Sequence, residues 1–389
     1  MSKLFILKFD TCVRSDIQHL KHTEPIAFAG FVQTMFDAVY VFGDPENKHA
    51  ILEELVYYDN VHIINNIHAW QDMLKCAKSD DCAIFWQGSK AALEHCSEFQ
   101  QDVLWNAFKA WCLSNVRKFT LTTDLRFDFG KECTLTKRLH NYKEYLESQK
   151  DYITHLCQHK NLKYAWLDES QCVFVPLQII AAVNALKLQC IKEPRLLKRQ
   201  ATMQNAIEAH VLSFADIKQQ YACCASCAGF TYLDEYRRSV IEQFVIHMCD
   251  TCLITSYLDD TILSAVKSAA PNFTLKYKVA YDAMPHVMSR SAYNLVVGDS
   301  LYVQAGLLPN RWVEGVLANC CNILVDYEPS AIFADIVDFN DYATFATLNS
   351  KTRVRTAPTN FDDCKQAQQK ALAAMIVQCY TILEQTFKS

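Results

Sequence analysis

The feature that most limits the fold is a repeated alternation of short apolar runs with stretches of helical periodicity. In the first half of the chain, apolar runs of strand length occupy residues 4–9, 38–42, 61–64 and 82–86. A fifth run, residues 118–123, leads directly into Asp124. A helix is predicted with Thr23 as N-cap and Pro25 in its first turn, and another over residues 90–113. Strands that alternate with helices predict a mostly parallel sheet covered on both faces.

The same alternation restarts after residues 192–199, a polar and basic segment that we take as a linker. Further strands are predicted at residues 221–225, 253–257, 276–279, 295–297 and 322–325, with helices at residues 234–248, 310–317 and 361–387. We therefore predict two α/β domains, residues 1–195 and 200–355, with the C-terminal helix, residues 360–389, packed back on the first. A cleft between two such domains is a usual place for a small-molecule site.

The sequence lacks the signatures of four enzyme classes: dinucleotide-binding enzymes, P-loop NTPases, serine hydrolases with a nucleophile elbow, and zincins. Only 8 of the 389 residues are Gly, and the chain contains no GxGxxG, GxxxxGK[ST], GxSxG or HExxH motif. The formal net charge is −5, so contact with a nucleic acid would need local basic patches. Two clusters could supply phosphate contacts, although charge runs are more often solvated surface: Lys192, Arg195, Lys198 and Arg199, and Lys351, Arg353 and Arg355.

The 18 cysteines are irregularly spaced, and no apolar run reaches the ~18 residues of a membrane span. We expect a soluble cytoplasmic protein with free, mostly buried thiols. Cys224-x-x-Cys227 and Cys249-x-x-Cys252 have the spacing of a zinc site that could stabilise an interaction module. The predicted helix between the two pairs, about 22 Å long at ~1.5 Å per residue, argues against one shared zinc ion.

The most informative segment is the strand and helix around residues 293–315. Asn310 is a predicted N-cap, and Arg311 and Glu314 lie one turn apart on one helix face. A cation at a helix start opposes the helix dipole unless an anion such as phosphate also lies there. The adjacent carboxylate could accept hydrogen bonds from a ribose diol. The pattern indicates a nucleoside-diphosphate site, and the alternative is an exposed ion pair worth only ~0.3 kcal/mol.

Over residues 3–340, the sequence resembles the DNA β-glucosyltransferases of T-even phages, which are GT-B enzymes. The matching motifs occur in the same order along both sequences. Arg311-Trp-Val-Glu314 is similar to the family's Arg-x-x-Glu helix, which reaches the diphosphate and the ribose. The resemblance adds Gly298, Asp299 and Tyr302 to the donor site. A third segment, Glu235-Tyr-Arg-Arg-Ser239, resembles the helix start whose Arg meets the diphosphate, with Arg237 as the counterpart and Arg238 as the alternative.

The same resemblance assigns the acceptor side. The family's catalytic base is the Asp of a strand-terminal Thr-Asp-Ile-Arg, matched by Thr123-Asp124-Leu-Arg126. A second family acid precedes the first helix, where Glu24 stands. Asp124 also follows a predicted parallel strand, and ligands of such sheets lie beyond the carboxyl ends of the strands. A cap or a local ion pair is the structural alternative for Asp124.

The resemblance implies a GT-B fold of two Rossmann-like domains that face a central cleft. It implies transfer of glucose from UDP-glucose to the hydroxymethyl group of a pyrimidine in phage DNA, with base flipping and possible help from Mg²⁺ or Mn²⁺. The expected partner is double-stranded DNA, and the expected setting is a monomer in the infected cell's cytoplasm. The chain departs from the family at residues 223–229, where the loop has no Arg. The alternatives are another sugar such as arabinose, a non-DNA acceptor, or a non-catalytic nucleotide or DNA binder.

Overall fold

The computed structural model describes residues 2–8, 20–43, 59–86, 98–122, 172–175, 177–186, 193–213, 223–228, 251–255, 264, 268, 274–277, 284–297, 309–325, 344–346 and 361–388. These residues belong to two compact units. The described residues up to Lys198 and those from Gln378 onward form the first unit. Those from Arg199 to Val377 form the second.

The first unit contains a six-stranded sheet in which every pairing is parallel. Its strands are β1 (Lys3–Lys8), β2 (Ala38–Phe42), β3 (Val61–Ile64), β4 (Cys82–Trp86), β5 (Arg117–Thr122) and β6 (Cys172–Phe174). The order across the sheet is β3-β2-β1-β4-β5-β6. Strands β1 and β4 are almost entirely buried, as expected of central strands that helices cover on both faces.

The described helices of the first unit are α1 (Leu20–Val32), α2 (Ile67–Lys75), α3 (Glu98–Leu113), α4 (Leu177–Ala185) and the short α5 (Pro194–Leu197). Helix α2 begins at a side-chain cap, because Asn66 Oδ1 accepts from the backbone N–H groups of His68 and Ala69. Trp70 and Trp111 pack into an aromatic core with Phe5, Phe42 and Phe108.

Helix α1 starts earlier than the sequence predicted. It begins at Leu20, so Thr23 is not its N-cap and Pro25 lies inside the helix. Proline has a fixed φ compatible with a helix, but its nitrogen cannot donate to the carbonyl four residues back. Pro25 therefore marks a gap in the hydrogen bonding of α1, one turn inside its start.

The second unit repeats the architecture of the first. Its strands are β7 (Cys223–Ala228), β8 (Thr251–Thr255), β9 (Thr274–Tyr277), β10 (Ser291–Val296), β11 (Cys321–Val325) and β12 (Thr344–Ala346). They form a second parallel sheet in the order β12-β11-β10-β7-β8-β9. The described helices are α6 (Gln200–Leu212), α7 (Met284–Met288) and α8 (Asn310–Leu317).

Both sheets have the strand order of the doubly wound Rossmann fold. When the strands of each unit are counted from its own first strand, each order is 3-2-1-4-5-6. The order in which successive strands are added to the sheet reverses between β1 and β4 in the first sheet and between β7 and β10 in the second. In such sheets, ligands bind beyond the carboxyl ends of the strands at this switch point.

The C-terminal helix α9 (Phe361–Lys388) begins in the second unit and ends in the first. Within the first unit, Tyr380 packs edge-on against Phe31 and shares a 2.7 Å hydrogen bond with the Thr34 hydroxyl. Arg117 Nη1 donates to the Phe387 carbonyl at 2.9 Å, so a cation satisfies a carbonyl of the last turn. None of the helices that the structure describes has the length and apolar character needed to cross a membrane.

Candidate functional site

Helix α8 lies at the switch point of the second sheet. It follows β10, the strand next to β7 where the order reverses. The Asn294 side chain, in the carboxyl half of β10, donates to the Arg311 carbonyl at 2.9 Å. The first turn of α8 therefore lies over the part of the sheet where doubly wound folds bind ligands.

The start of α8 differs by one residue from the predicted cap. Pro309, in an extended conformation, is the N-cap, and Asn310 is the first helical residue. Proline has no side-chain oxygen that could accept from the first N–H groups of the helix. The N-cap side chain therefore makes no hydrogen bond at the positive end of the helix dipole. In anion-binding sites at helix starts, a bound anion accepts those hydrogen bonds instead.

The end of α8 is fixed by a Schellman motif. Asn319 has a left-handed φ of 57°, a conformation that Asn adopts more readily than most residues. Cys320 N donates to the Gly315 carbonyl at 2.8 Å, and Asn319 N donates to the Val316 carbonyl at 3.0 Å. The predicted bounds of α8 are confirmed, and both ends of this short helix have defined geometry.

Arg311 and Glu314 form an ion pair on one face of α8. The Arg311 side chain is 26% exposed, whereas the Glu314 side chain is only 7% exposed. One carboxylate oxygen of Glu314, Oε1, is buried and accepts no hydrogen bond from any described residue. A buried acceptor of this kind normally finds a donor. The arrangement offers a cation to an anionic ligand and a carboxylate oxygen to a hydroxyl donor.

After Arg311, the residues of α8 are buried within its own unit, and Trp312 and Val313 are fully buried. The Asn294 and Asn322 side chains lie beneath the helix and are also fully buried. These asparagines escaped sequence analysis, because Asn294 lies just before the strand predicted at residues 295–297, and Asn322 is the first residue of the strand predicted at residues 322–325. The only signal was that both strands carry Asn among apolar neighbours.

Most of the remaining predicted site residues lie outside the described residues. These are Asp124, Arg237, Arg238, Gly298, Asp299 and Tyr302. Along the chain, Asp124 follows the end of β5 by two residues, and Gly298 follows β10 by two residues. Glu24 lies within α1 rather than just before the first helix, which corrects its predicted place; the cause is the earlier start of α1 described above.

The first unit has its own buried cation at a switch point, which sequence analysis missed. Lys8, at the end of β1, is 2% exposed, and its Nζ atom lies 4.8 Å from the centroid of the Trp86 ring at the end of β4. Phe28 of α1 packs edge-on against the same ring. A Lys within an otherwise apolar strand was the available signal. The cation–π contact stabilises a buried ammonium at the ligand-binding edge of the sheet.

Two of the three described residues of the first basic cluster, Arg195 and Lys198, pair with acidic residues. Arg195 Nε lies 2.8 Å from a Glu193 carboxylate oxygen, and this pairing lowers the pKa of Glu193. Lys198 pairs with Glu384, whose pKa is lowered chiefly by that hydrogen bond. These pairs reduce the positive charge available to a phosphate backbone at this place.

The zinc alternative receives no support from the described residues, in which no group of three or more His, Cys, Asp or Glu side chains could hold a metal. The predicted reason against zinc was wrong, however. Strands β7 and β8 are parallel neighbours, and Ser226 is the register partner of Cys252. A helix between two parallel strands returns the chain to the same end of the sheet, so its length does not separate the pairs.

No protein-family model matches the chain, and no curated protein matches it in sequence. Solved structures do match. A DNA-modifying β-glucosyltransferase, solved with and without uridine diphosphoglucose, superposes with a TM-score of 0.51 at 10% identity over 100% of both chains. T4 phage BGT with UDP and Mn²⁺ has a TM-score of 0.44 at 9% identity, over 99% of this chain and 96% of that one.

Anabaena HepE in complex with UDP-glucose has a TM-score of 0.40 at 11% identity, over 100% of this chain and 95% of that one. The first superposition, together with two parallel sheets of Rossmann order, defines the class: this chain has the GT-B fold of glycosyltransferases. At 10% identity the likeness shows the fold, and the chemistry has to be argued from the site.

Proposed function

We propose that the chain is a glycosyltransferase that moves a sugar from a UDP-sugar, most simply UDP-glucose, to the hydroxymethyl group of a modified pyrimidine in phage DNA. The single observation that carries the proposal is the Arg311–Glu314 pair at the start of α8. It combines a helix start whose N-cap residue, Pro309, supplies no side-chain hydrogen bond, a cation, and a buried carboxylate oxygen at the switch point of a Rossmann sheet.

In this proposal, residues 200–355 bind the donor. Arg311 and the start of α8 receive the diphosphate, and the Glu314 carboxylate accepts from the ribose diol. The resemblance adds Arg237, or alternatively Arg238, at the diphosphate, and Gly298, Asp299 and Tyr302 elsewhere around the donor. Positive groups at the diphosphate stabilise the charge that develops on the departing UDP. Mg²⁺ or Mn²⁺ at the diphosphate would neutralise further charge.

Residues 1–195 take the acceptor side. Asp124 acts as general base, removing the proton of the acceptor hydroxyl as its oxygen bonds to the anomeric carbon and the bond to UDP breaks. Glu24 positions the acceptor or the sugar. A base in a duplex must be flipped out to reach such a group, at a cost of a few kcal/mol. We expect the protein to act as a monomer on double-stranded DNA in the infected cell's cytoplasm.

A second candidate keeps the donor and replaces DNA with a smaller acceptor. Two observations favour it: the net charge of −5, and the pairing of Arg195 and Lys198 with acidic partners. Both weaken the electrostatic attraction that supplies most of the affinity for a phosphate backbone.

The test is a transfer assay with labelled UDP-glucose and matched duplexes that contain cytosine, 5-hydroxymethylcytosine or 5-hydroxymethyluracil. The proposal predicts label in a hydroxymethylated duplex only, and none with the Asp124→Asn variant. Asp362→Asn, an exposed carboxylate on α9, is the matched control and should transfer at the normal rate. If UDP binds but no duplex is labelled, transfer of glucose to DNA is wrong, and either another sugar or the smaller acceptor of the second candidate replaces it.

A further inference from the structure

Three amide side chains from three elements form one hydrogen-bonded network beneath α8. Asn294 of β10 and Asn322 of β11 are register partners in the sheet and are fully buried. Asn294 Nδ2 donates to Asn322 Oδ1 at 2.6 Å. Gln368 of α9, 1% exposed, donates from Nε2 to the Asn322 carbonyl at 3.1 Å and accepts at Oε1 from Asn322 N at 3.2 Å. The network joins two neighbouring strands to the C-terminal helix.

The network ends on the backbone of α8. Asn294 Nδ2 donates to the Arg311 carbonyl at 2.9 Å, and Asn322 Nδ2 donates to the Trp312 carbonyl at 2.8 Å. Two successive carbonyls of the first turn are therefore tied to two strands. Such a tie resists both sliding and rotation of the helix on the sheet, so it fixes the direction in which the Arg311 side chain leaves the helix.

Gly315 keeps the space that this network needs. A Cβ atom at this position would lie 1.9 Å from Asn322 Oδ1 and 2.5 Å from Asn294 Nδ2, far inside normal contact. Glycine in a helix costs about 1 kcal/mol relative to alanine. The close approach of the two amides explains why the residue is nevertheless glycine.

Stability alone gives no reason for amides at these positions. The face of a parallel sheet beneath a helix is ordinarily apolar, and burying an amide has a desolvation cost that its hydrogen bonds only offset. The hydrogen bonds of this network, which leave Asn294 Oδ1 as one buried acceptor without a partner among the described residues, add one defined geometry to such a core. Defined geometry matters most where ligand groups must be met, because a misplacement of about 1 Å can cost about 100-fold in rate.

We propose that Asn294, Asn322 and Gln368 are positioning residues for the donor diphosphate, which they serve by fixing the first turn of α8 and with it Arg311. The proposal rests on the proposed function of α8 as the donor-binding helix. It gives the C-terminal helix a part in donor binding through Gln368, which itself need not touch the donor.

The test uses neutral substitutions of similar volume, so that charge at the site stays constant. Asn322→Leu and Gln368→Met remove the hydrogen bonds, while Asn205→Leu in α6 and Gln366→Met in α9 are matched controls at exposed positions. Near-UV circular dichroism establishes that each variant is folded. Calorimetry then gives the Kd for UDP, and transfer kinetics give KM for UDP-glucose and kcat separately.

We expect the Kd for UDP to rise about tenfold in Asn322→Leu, with KM rising more than kcat falls, while both controls match the wild type. Gly315→Ala, which must displace the same amides, should raise the Kd similarly and add little when combined with Asn322→Leu. If Asn322→Leu does not fold, Gln368→Met decides the question.

An unchanged Kd in the folded variants would overturn the positioning role and leave the proposed function standing. A wild-type protein that binds no UDP would overturn both, and the wild-type titration separates the two cases.

Discussion

Removal of Arg311 should destabilise the second unit more than removal of the charge on Glu314, although the two residues form one ion pair. In Arg311→Met, the Glu314 side chain, 7% exposed, keeps its charge and loses its partner. An uncompensated buried charge costs about 3 to 5 kcal/mol. Because the pair is only partly buried, we expect the lower end, about 3 kcal/mol. In Glu314→Gln, the guanidinium that remains is 26% exposed and can hydrate, so about 1 kcal/mol is expected.

The assay is urea unfolding followed by hydrogen exchange of peptides that cover β10, α8 and β11, which reports the second unit separately from the first. The double variant Arg311→Met/Glu314→Gln is the control, because it contains no unpaired charge. It should be more stable than Arg311→Met alone. The reasoning is refuted if Glu314→Gln costs as much as Arg311→Met, or if the double variant is no more stable than Arg311→Met.

Three further outcomes are expected. Burial raises the pKa of the Cys379 thiol to about 12. Iodoacetamide at pH 8 should therefore label the exposed Cys76 and leave Cys379 unmodified in the native protein, and peptide mass spectrometry measures both. Burial lowers the pKa of His210 below its ordinary 6.5, so the unfolded state takes up a proton at a higher pH than the native state does. The free energy of unfolding should therefore decline as the pH falls below about 6.5, and urea titrations of His210→Gln should show a smaller decline. Tyr380→Phe removes the 2.7 Å hydrogen bond to Thr34 and should cost about 1 kcal/mol of unfolding free energy, whereas adding Thr34→Val should recover part of it.

The central strands could be predicted from the sequence because a parallel strand buried on both faces has a continuous apolar pattern. The bounds of β2, β3 and β4 agree with the prediction to the residue. Helix α6, Gln200–Leu212, was missed because Pro194 and four basic residues suggested a linker at its start. Its buried Met203 and Ile207 lie at helical spacing, which was the signal available.

The candidate site could be predicted only in part. Arg311 and Glu314 are neighbours on one helix, so their spacing was enough to place them together. The asparagine network was beyond prediction. Asn294 meets Asn322 through sheet register, and Gln368, 46 residues further along the chain, reaches Asn322 through tertiary packing. Sequence spacing carries no information about contacts of that kind.

The most direct test of the account is calorimetric titration of UDP into the wild-type protein and into Arg311→Met, with the exposed control Gln366→Met beside them. A charge-assisted hydrogen bond to phosphate is worth about 1.5 to 3 kcal/mol, and 1.4 kcal/mol is a factor of ten in Kd. The account predicts that UDP binds to the wild type and to the control with equal affinity, and at least about ten times more weakly to Arg311→Met. Equal affinity of all three proteins, or no binding of UDP to the wild type, would contradict the claim that the start of α8 holds the diphosphate of a nucleotide sugar.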